Sequence, residues 1–403
     1  MPVIVPPVFA ARAAASRARL ALTALLLACG HSDSFITSVS TVGPSGSGPD
    51  VQLTFNVDQD YWPAWTEDGN GILYAFVPLD TRITHRCIGL LPPSGGTRIW
   101  QLCDERFVRN DSISSYTGFA LGSSGKLLYA EASGPLASPQ NIPNTGLWLA
   151  DTSSPFVRTR LLNLPLDVGG FVVNWLTDIA WTGPSTFIAL GQQWNTLRVC
   201  SVINCPGATQ ALKDSTFSAD GRIVVGTIAG DHATLTAIAG TDSATGYSLV
   251  DAGAAVVFIR RDNLRLLKVP VTGGVPTTIA RVTPTDSGEL LGVSCKAQAC
   301  VVATSNVVLS YGGDTDEFGR PQTYAHVVGA PQSTGVGGDL RTVSLATGEV
   351  AIVRLFAGIP ATPHFSPTTN DVVMQVGGIW GHLQTFARGD ANSALHLLSG
   401  LVP

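Results

Sequence analysis

Short apolar runs, rich in β-branched residues and separated by glycine- and proline-rich turns, recur along the chain after its first fifty residues. Residues 253–259 (Gly-Ala-Ala-Val-Val-Phe-Ile) and 301–304 (Val-Val-Ala-Thr) are typical of these runs, which have the length and composition of half-buried strands. No helical apolar repeat competes with them. The pattern therefore predicts an all-β protein.

The strands are organised in a recurring cassette of an aromatic strand, a turn with glycine or acidic residues, and a second apolar strand. The clearest copy spans residues 60–76, and others contain Phe119, Trp181, Phe217 and Phe365. Further strand-like stretches follow each copy, which favours four strands per unit. Because so small a sheet cannot bury both faces alone, the units are expected to pack around an axis.

Three of these turns carry a family resemblance. Trp65-Thr-Glu-Asp-Gly69 and Phe217-Ser-Ala-Asp-Gly221 resemble the Trp-Ser-Pro-Asp-Gly signature of TolB-like, WD-type bacterial β-propellers, and Phe365-Ser-Pro367 retains part of it. The resemblance extends over most of residues 51–403 and implies a β-propeller of four-stranded blades. Residues 51–55 resemble the outer strand that completes the last blade and closes such a ring.

The number of blades depends on how the units are divided. Unit starts are expected near residues 60, 116, 178, 214, 247, 288 and 362. This division favours seven blades. Merging the closely spaced units between residues 178 and 250 would give six.

The N-terminus has the pattern of a secretory leader that ends on a cysteine. Arg12, Arg17 and Arg19 precede a short apolar run, and Leu26-Leu-Ala-Cys29 resembles the bacterial lipobox. The resemblance implies removal of residues 1–28 and attachment of lipid, such as palmitate, at Cys29. An ordinary signal peptide with a cysteine near its cleavage site by chance is the alternative. The apolar run is too short for a transmembrane anchor, which needs about 20 residues.

Residues 29–50 are predicted to form a flexible tether between the lipid and the domain that follows. Residues 43–50 are mostly Gly, Ser and Pro without an apolar pattern. The propeller domain is expected to occupy residues 51–403. Because Gly30, and not Asp, follows the cysteine, the resemblance to lipoproteins implies sorting to the outer membrane if the host has two membranes.

Charge limits the choice of partners. The leader holds three of the 24 basic residues and none of the 29 acidic ones, so the chain from Cys29 onward has a net charge of −8. This charge argues against nucleic acid or an anionic lipid surface as the main partner. Contact with a bilayer is expected through the Cys29 anchor alone, and the partner is expected to be an envelope protein or a small extracellular ligand.

Six further cysteines form three local pairs in a chain that is expected to reach an oxidising compartment. Cys87 and Cys103 flank a hairpin-like turn at residues 91–96, so they could face each other across two antiparallel strands. The other two pairs each enclose four residues. Zinc binding is the alternative, but the spacing and the absence of clustered histidines argue against it. The predicted disulfides are Cys87–Cys103, Cys200–Cys205 and Cys295–Cys300.

The segment between residues 288 and 362 is long for one unit and is predicted to include an excursion on one face. It carries Asp314, Asp316 and Glu317 beside glycines, which could supply oxygen ligands to calcium. Phe318 stands where a calcium loop usually places another oxygen, so a solvated acidic loop is the competing interpretation. No other cofactor is indicated, and the metal question stays open.

The common catalytic motifs are absent from the sequence, including Gly-x-Ser-x-Gly, His-Glu-x-x-His and the phosphate-binding loop. We therefore expect a lipid-anchored β-propeller that acts as a binding or protein-interaction module at the cell envelope, and no catalytic residue is assigned. The alternative is a propeller-type hydrolase or lyase that acts on glycans or peptides, because acidic residues around a channel could serve as general acid and base.

Candidate ligand-binding residues lie where the chain enters the innermost strand of each unit. Such segments converge around the axis of a propeller, at the mouth of its channel. Packing between blades and capping of turns are the competing roles for these side chains. The candidates are Asp60, Tyr61, Tyr116, Trp175, Asp178, Asp214 and His364.

Overall fold

The computed structural model describes most of the region after residue 50. The described residues are 39–40, 50–54, 59–77, 87–103, 112–135, 144–193, 220–260, 264–284, 288–306, 308–315, 321–328, 337–356, 358–377 and 393–401.

Two short strands come first in the chain and join the last sheet. These are β1 (Val39–Ser40) and β2 (Asp50–Gln52).

Three four-stranded antiparallel blades follow, each with its strands in chain order. Blade 1 consists of β3 (Gln59–Trp65), β4 (Ile72–Val77), β5 (Cys87–Leu91) and β6 (Trp100–Leu102). Blade 2 consists of β7 (Ser112–Leu121), β8 (Lys126–Pro135), β9 (Asn144–Asp151) and β10 (Ser154–Leu164). After the hairpin of β11 (Leu166–Val168) and β12 (Phe171–Val173), blade 3 consists of β13 (Trp175–Gly183), β14 (Thr186–Gln193), β15 (Asp220–Ala229) and β16 (His232–Ala237).

The second half of the chain forms blades 4 to 6. Blade 4 consists of β17 (Ala244–Val250), β18 (Ala255–Arg260), β19 (Arg265–Pro270) and β20 (Thr277–Arg281), with a 3-10 turn at Asp251–Gly253. Blade 5 consists of β21 (Leu290–Lys296), β22 (Ala299–Ser305), β25 (Gly338–Ser344) and β26 (Val350–Phe356). Between its second and third strands the chain forms a separate hairpin of β23 (Val308–Thr315) and β24 (Pro321–Val328). Blade 6 consists of β27 (Ile359–Phe365), β28 (Val372–Gly377) and β29 (Ser393–Leu398), extended by β2 and β1.

The protein is thus an all-β propeller with four-stranded blades, as expected, and it has six of them. The preference for seven was wrong at the cassette that begins near residue 214. Asp220 and Gly221 do not form a turn there, because they begin β15, which pairs with β14 as the third strand of blade 3. All strands of a blade share the same alternation of apolar and polar residues, so the pattern alone did not separate a third strand from a first.

The other cassettes are the hairpins of the first two strands of a blade. Gly71 and Thr66 close the first one, where the Thr66 backbone N–H donates to the Gly71 carbonyl at 2.9 Å. The Asp68 side chain accepts hydrogen bonds from Thr66 Oγ1 (2.6 Å) and the Asn70 N–H (3.0 Å). These bonds explain the acidic-glycine turn and hold the pKa of Asp68 below its ordinary value.

The ring closes as predicted, with an N-terminal strand in the last blade. Val51 pairs with Leu397 in antiparallel register, and the Leu53 N–H donates to the Leu395 carbonyl at 2.7 Å. Asp50 adds a side-chain hydrogen bond, since its carboxylate lies 2.8 Å from Nδ1 of His396. Phe55, at the end of the predicted closing segment, lies outside the described residues.

The hydrophobic core is divided among the spaces between neighbouring blades. Tyr74 and Phe76 of blade 1 pack with Val373 and Leu395 of blade 6, and all four side chains are at most 2% exposed. Each of the six core clusters formed by the described residues combines side chains from two adjacent blades. This division agrees with the expectation that no blade could bury its apolar surface alone.

Two of the predicted disulfides lie in the described region. Cys87–Cys103 joins the ends of the β5–β6 hairpin, and Cys295–Cys300 joins a directly opposed pair at the turn between β21 and β22. Both are confirmed. Cys200, Cys205 and Cys29 lie outside the described residues, as does most of the tether. The described part of the chain contains no helix that is long and apolar enough to cross a bilayer.

The two faces of the ring differ in their connections. Since strands in a blade alternate in direction, the second-to-third connections share a face with the starts of the innermost strands. We call this the loop face, because it carries long connections such as residues 194–219, 306–337 and 378–392. The opposite turn face carries the first-to-second connections, which are as short as residues 184–185 and 297–298.

Candidate functional site

The innermost strand of every blade contains a shift in pairing register, which lies inside the strand in blades 1, 2, 3 and 6 and at the first residues of the strand in blades 4 and 5. A β-bulge of this kind bends a strand and turns a side chain out of its regular direction. In the propeller the bent strands surround the axial channel. The shifts lie between Tyr61 and Ala64, Tyr116 and Gly118, Thr177 and Ala180, Ala244 and Gly246, Leu290 and Gly292, and Ala361 and His364.

Left-handed backbone conformations accompany three of these bulges. Trp62, Asp178 and Thr362 have φ values of 51°, 50° and 46°, which are uncommon outside glycine and costly for a β-branched or bulky residue. They occupy the same position in β3, β13 and β27. The same left-handed backbone conformation is therefore repeated at the bulges of blades 1, 3 and 6.

Asp178 and His364 meet in the channel. They belong to blades 3 and 6, which are opposite each other in a ring of six, and His364 Nε2 lies 3.7 Å from Asp178 Oδ1. The side chains of Asp178 and His364 are 32% and 27% exposed, so both keep surface that a ligand could contact. The structure thus brings together two of the residues that the sequence predicted as ligand-binding.

The backbones of both residues are held by aromatic side chains from neighbouring blades. The Tyr247 hydroxyl in blade 4 donates to the Asp178 carbonyl at 2.6 Å, and Trp65 Nε1 in blade 1 donates to the His364 carbonyl at 2.9 Å. The carboxylate and imidazole themselves make no hydrogen bond with any described residue. Fixed backbones with available side-chain atoms are the arrangement that a preorganised binding or catalytic pair requires.

Enclosure by the channel changes the acidity of this site. Burial raises the pKa of Asp178 above its ordinary value because it disfavours the charged carboxylate, and the opposing effect of a charged His364 is smaller. Burial and the nearby Asp178 charge raise the pKa of Tyr247 well above its ordinary value. Tyr247 therefore remains a hydrogen-bond donor over the physiological pH range.

The other candidates from the sequence lie in different environments. Asp60 is fully buried in β3, and its carbonyl accepts a hydrogen bond from Ser393 Oγ at 2.7 Å. Tyr116 is 1% exposed and packs edge-on against Tyr129, with ring centroids 5.4 Å apart. These two positions are in the packing layer between blades, which is the competing role considered for such residues.

Tyr61 and Trp175 are partly buried on the innermost strands, and Tyr61 lies beside Trp62 with a centroid separation of 6.2 Å. Asp214 lies outside the described residues. A ligand-binding role for these three residues remains a prediction.

Sequence reasoning did not identify Tyr247 and Trp65 as residues whose side chains hold the backbone of the site by hydrogen bonds. Tyr247 stands three positions after Ala244, the last residue paired before the bulge in its strand, and His364 stands three positions after Ala361, the equivalent residue in blade 6. An alignment of the six innermost strands by their bulges would have found it, but a bulge has no marker in the sequence.

Metal binding receives no support from the described residues, which contain no group of three or more His, Cys, Asp or Glu side chains suited to a metal ion. The backbone of Asp314 lies in β23, whereas Asp316 and Glu317 are outside the described residues. The calcium loop therefore remains a prediction.

The fold and the channel define a six-bladed β-propeller with an aspartate–histidine pair at its axis. Comparison with known protein families finds no matching family, and comparison with curated sequences finds no match either.

Similar solved structures include a gluconolactonase from Xanthomonas campestris, with 11% identity over 90% of this chain and 93% of that one, and a TM-score of 0.47. An oligogalacturonate lyase in complex with manganese has 12% identity over 91% and 96% of the two chains, with a TM-score of 0.42. TolB from Acinetobacter baumannii has 13% identity over 91% and 75%, with a TM-score of 0.37. These likenesses concern the fold and carry no assignment of activity.

Proposed function

We propose that the protein is a lipid-anchored, extracytoplasmic binding module that receives its ligand in the axial channel. The observation that carries this proposal is the Asp178–His364 pair. Its backbone carbonyls are fixed by Tyr247 and Trp65, while its side chains make no hydrogen bond with any described residue. A group that both donates and accepts hydrogen bonds would satisfy the carboxylate and the imidazole together.

The two faces of the ring support an approach from the loop face. The long second-to-third connections begin and end on that face, and binding residues in many folds lie on loops that a rigid scaffold positions. The turn face is closed by tight hairpins whose side chains are used in their own turns, as Asp68 is. An envelope protein or a small extracellular ligand would therefore bind at the loop face.

The membrane location in this proposal rests on the N-terminal sequence. Cys29 would carry the lipid, the part of the predicted tether that precedes β1 would span the distance to the ring, and Gly30 favours the outer membrane in a host with two membranes. The lipid would hold the protein at the surface of the bilayer and not across it.

A hydrolase or lyase that acts on glycans or peptides is the second candidate, and the same pair favours it. A carboxyl group whose pKa is raised by burial, facing an imidazole, is a pair of groups suited to proton transfer. In that case Asp178 and His364 would act as general acid and base.

The test is affinity purification of the lipidated protein from its own membranes after chemical cross-linking, with identification of bound proteins and small molecules. Three forms are compared: wild type, Asp178→Asn with His364→Gln, and a control with Lys268→Gln and Asp251→Asn. The control removes an ion pair of 2.7 Å at the turn face. A bound species should be recovered with wild type and control, and lost with the channel variant.

Equal recovery from all three forms would contradict the proposal. To separate the two candidate functions, the recovered ligand is incubated with purified wild type and with the channel variant. A cleavage product detected by mass spectrometry with wild type alone would favour the enzyme, and an unchanged ligand would favour the binding module.

A further inference from the structure

A second concave site lies at the outer edge of blade 3, away from the channel. It is a cavity of about 440 Å³ on the loop face, between the β11–β12 hairpin and the end of β16. This volume is within the usual range for small-molecule sites, about 300–1,000 Å³. The residues that matter for its chemistry are Asp167, Arg222, Leu235, Thr236 and Asp242.

The hairpin wall of this cavity is fixed at its base and open at its tip. Val168 and Phe171 are buried in the core between blades 2 and 3. At the tip, Gly169 and Gly170 have φ values of 64° and 81°, with no atom within 4 Å of where a Cβ would stand. The Gly170 N–H donates to Asp167 Oδ1 at 2.8 Å, which shapes the turn. The cavity therefore has a firm wall and an open mouth.

Arg222 is held at the edge of the cavity. Its Nη2 lies 2.6 Å from Asp242 Oδ1, and its guanidinium carbon lies 4.9 Å from the centroid of the Phe171 ring. An ion pair and an aromatic ring together fix a guanidinium in one orientation. Arg222 and Asp242 remain 33% and 53% exposed, so both can also contact a ligand.

The charges of the lining exclude an ionic ligand as the best occupant. Asp242 neutralises Arg222, and Asp167 adds a second carboxylate, so an anion would meet net negative charge. A cation would meet the guanidinium. The remaining wall includes the partly buried apolar residues Leu235 and Ala237 and the exposed Thr236. The best occupant is uncharged, has several hydroxyl groups, and exposes C–H surface as well.

We propose that this cavity binds a neutral saccharide. Sugar hydroxyls can donate to the carboxylates and accept from the guanidinium at the same time. The C–H faces of the ring would pack on the apolar side chains of the wall. The site is independent of the channel pair, which is formed by the innermost strands of blades 3 and 6.

The experiment measures binding of named sugars by calorimetry and saturation-transfer NMR. The probes are glucose, galactose, N-acetylglucosamine, maltose, cellobiose and N,N′-diacetylchitobiose, with glucuronate as the charged comparator. At least one neutral probe should bind wild type and should bind better than glucuronate. Arg222→Gln and Asp242→Asn should each weaken that binding at least tenfold.

Two controls make the result specific. Lys268→Gln with Asp251→Asn removes an ion pair of similar exposure, 34% and 49%, on blade 4 and should leave sugar affinity unchanged, as should Asp178→Asn. Thr236→Trp places a bulky side chain at an exposed position of the lining. Thr236→Trp should block binding without disturbing the fold. It therefore tests the proposal even if an Arg222 variant does not fold.

Absence of binding to every neutral probe would overturn the proposal. So would a preference for glucuronate, or sugar affinity that survives both Asp242→Asn and Thr236→Trp. Loss of sugar binding in Asp178→Asn would move the saccharide to the channel and would also contradict the assignment to this cavity.

Discussion

Removal of the Cys87–Cys103 disulfide is expected to destabilise the protein more than removal of Cys295–Cys300. The first bond joins the two outer strands of blade 1, where β6 pairs with β5 through three residues. Cys87 is fully buried in the core between blades 1 and 6. The second bond spans one tight turn inside blade 5, whose strands are paired over a longer stretch.

The magnitude follows from the loop that each bond closes. The cysteines are separated by 16 residues in the first case and by 5 in the second. In the chain-entropy model a loop of the first size stabilises by about 3 kcal/mol and one of the second size by about 2 kcal/mol. Cys87 and Cys300 are both fully buried, so burial does not separate the two bonds, and the difference between the two variants should be about 1 kcal/mol.

The assay is urea unfolding of two double variants, Cys87→Ala with Cys103→Ala and Cys295→Ala with Cys300→Ala, each compared with wild type. Peptide mapping without reduction first establishes that the remaining bonds are intact, and also tests Cys200–Cys205. Equal stability of the two double variants, or a greater loss for Cys295–Cys300, would refute the loop argument. Free thiols at these positions in wild type would refute the pairing itself.

Three other predictions concern the anchor and the channel. Cys29→Ala should release the protein from the membrane fraction or leave it unprocessed, whereas normal cleavage and membrane attachment in that variant would contradict lipidation. Thr362→Gly should stabilise the protein by about 1 kcal/mol in urea unfolding, because it relieves a left-handed β-branched residue at the cost of glycine entropy. The neighbouring control Ala361→Gly should destabilise it. In wild type, the free energy of unfolding should fall as pH rises from 3.8 through the raised folded-state pKa of Asp178. The variant Asp178→Asn should not show this fall. The folded state binds this proton more tightly than the unfolded state, so stability is lost as pH rises, and identical pH profiles for the two forms would contradict the burial argument.

Local features of the fold could be read from the sequence because they depend on neighbouring residues. The hairpins at residues 66–71 and 366–371 follow from turn residues between apolar strands, and the disulfides follow from short spacing around turns. Closure by residues 51–54 was also predictable, because an extra strand preceded the first complete unit.

Features that depend on how strands are combined could not be read in this way. Asp220–Ala229 has the same apolar pattern as an innermost strand, although it is the third strand of blade 3. The prediction of seven blades failed there. Tyr116 likewise has the composition of an exposed site residue, but its ring is buried against Tyr129.

The candidate site was predictable in its residues and not in its geometry. Asp178 and His364 were identified by their position before or within aromatic strands, yet 186 positions separate them, and only a ring of six blades places them on opposite sides of one axis. The hydrogen bond from Tyr247 to the backbone of Asp178 depends on the register shift of β17, and the amino-acid composition does not reveal that shift.

The bulges also show which features of residue 178 the fold requires, because the same backbone conformation occurs in other blades with other side chains. Trp62, Asp178 and Thr362 adopt the same left-handed backbone at the same position of three innermost strands. Since tryptophan and threonine meet the backbone requirement in blades 1 and 6, the bulge itself does not need a carboxylate. Enclosure makes the charged form of Asp178 unfavourable, so a carboxylate at this position costs stability that neutral residues would not cost. An acid at such a position, opposite an imidazole, is the arrangement expected of a binding or proton-transfer site.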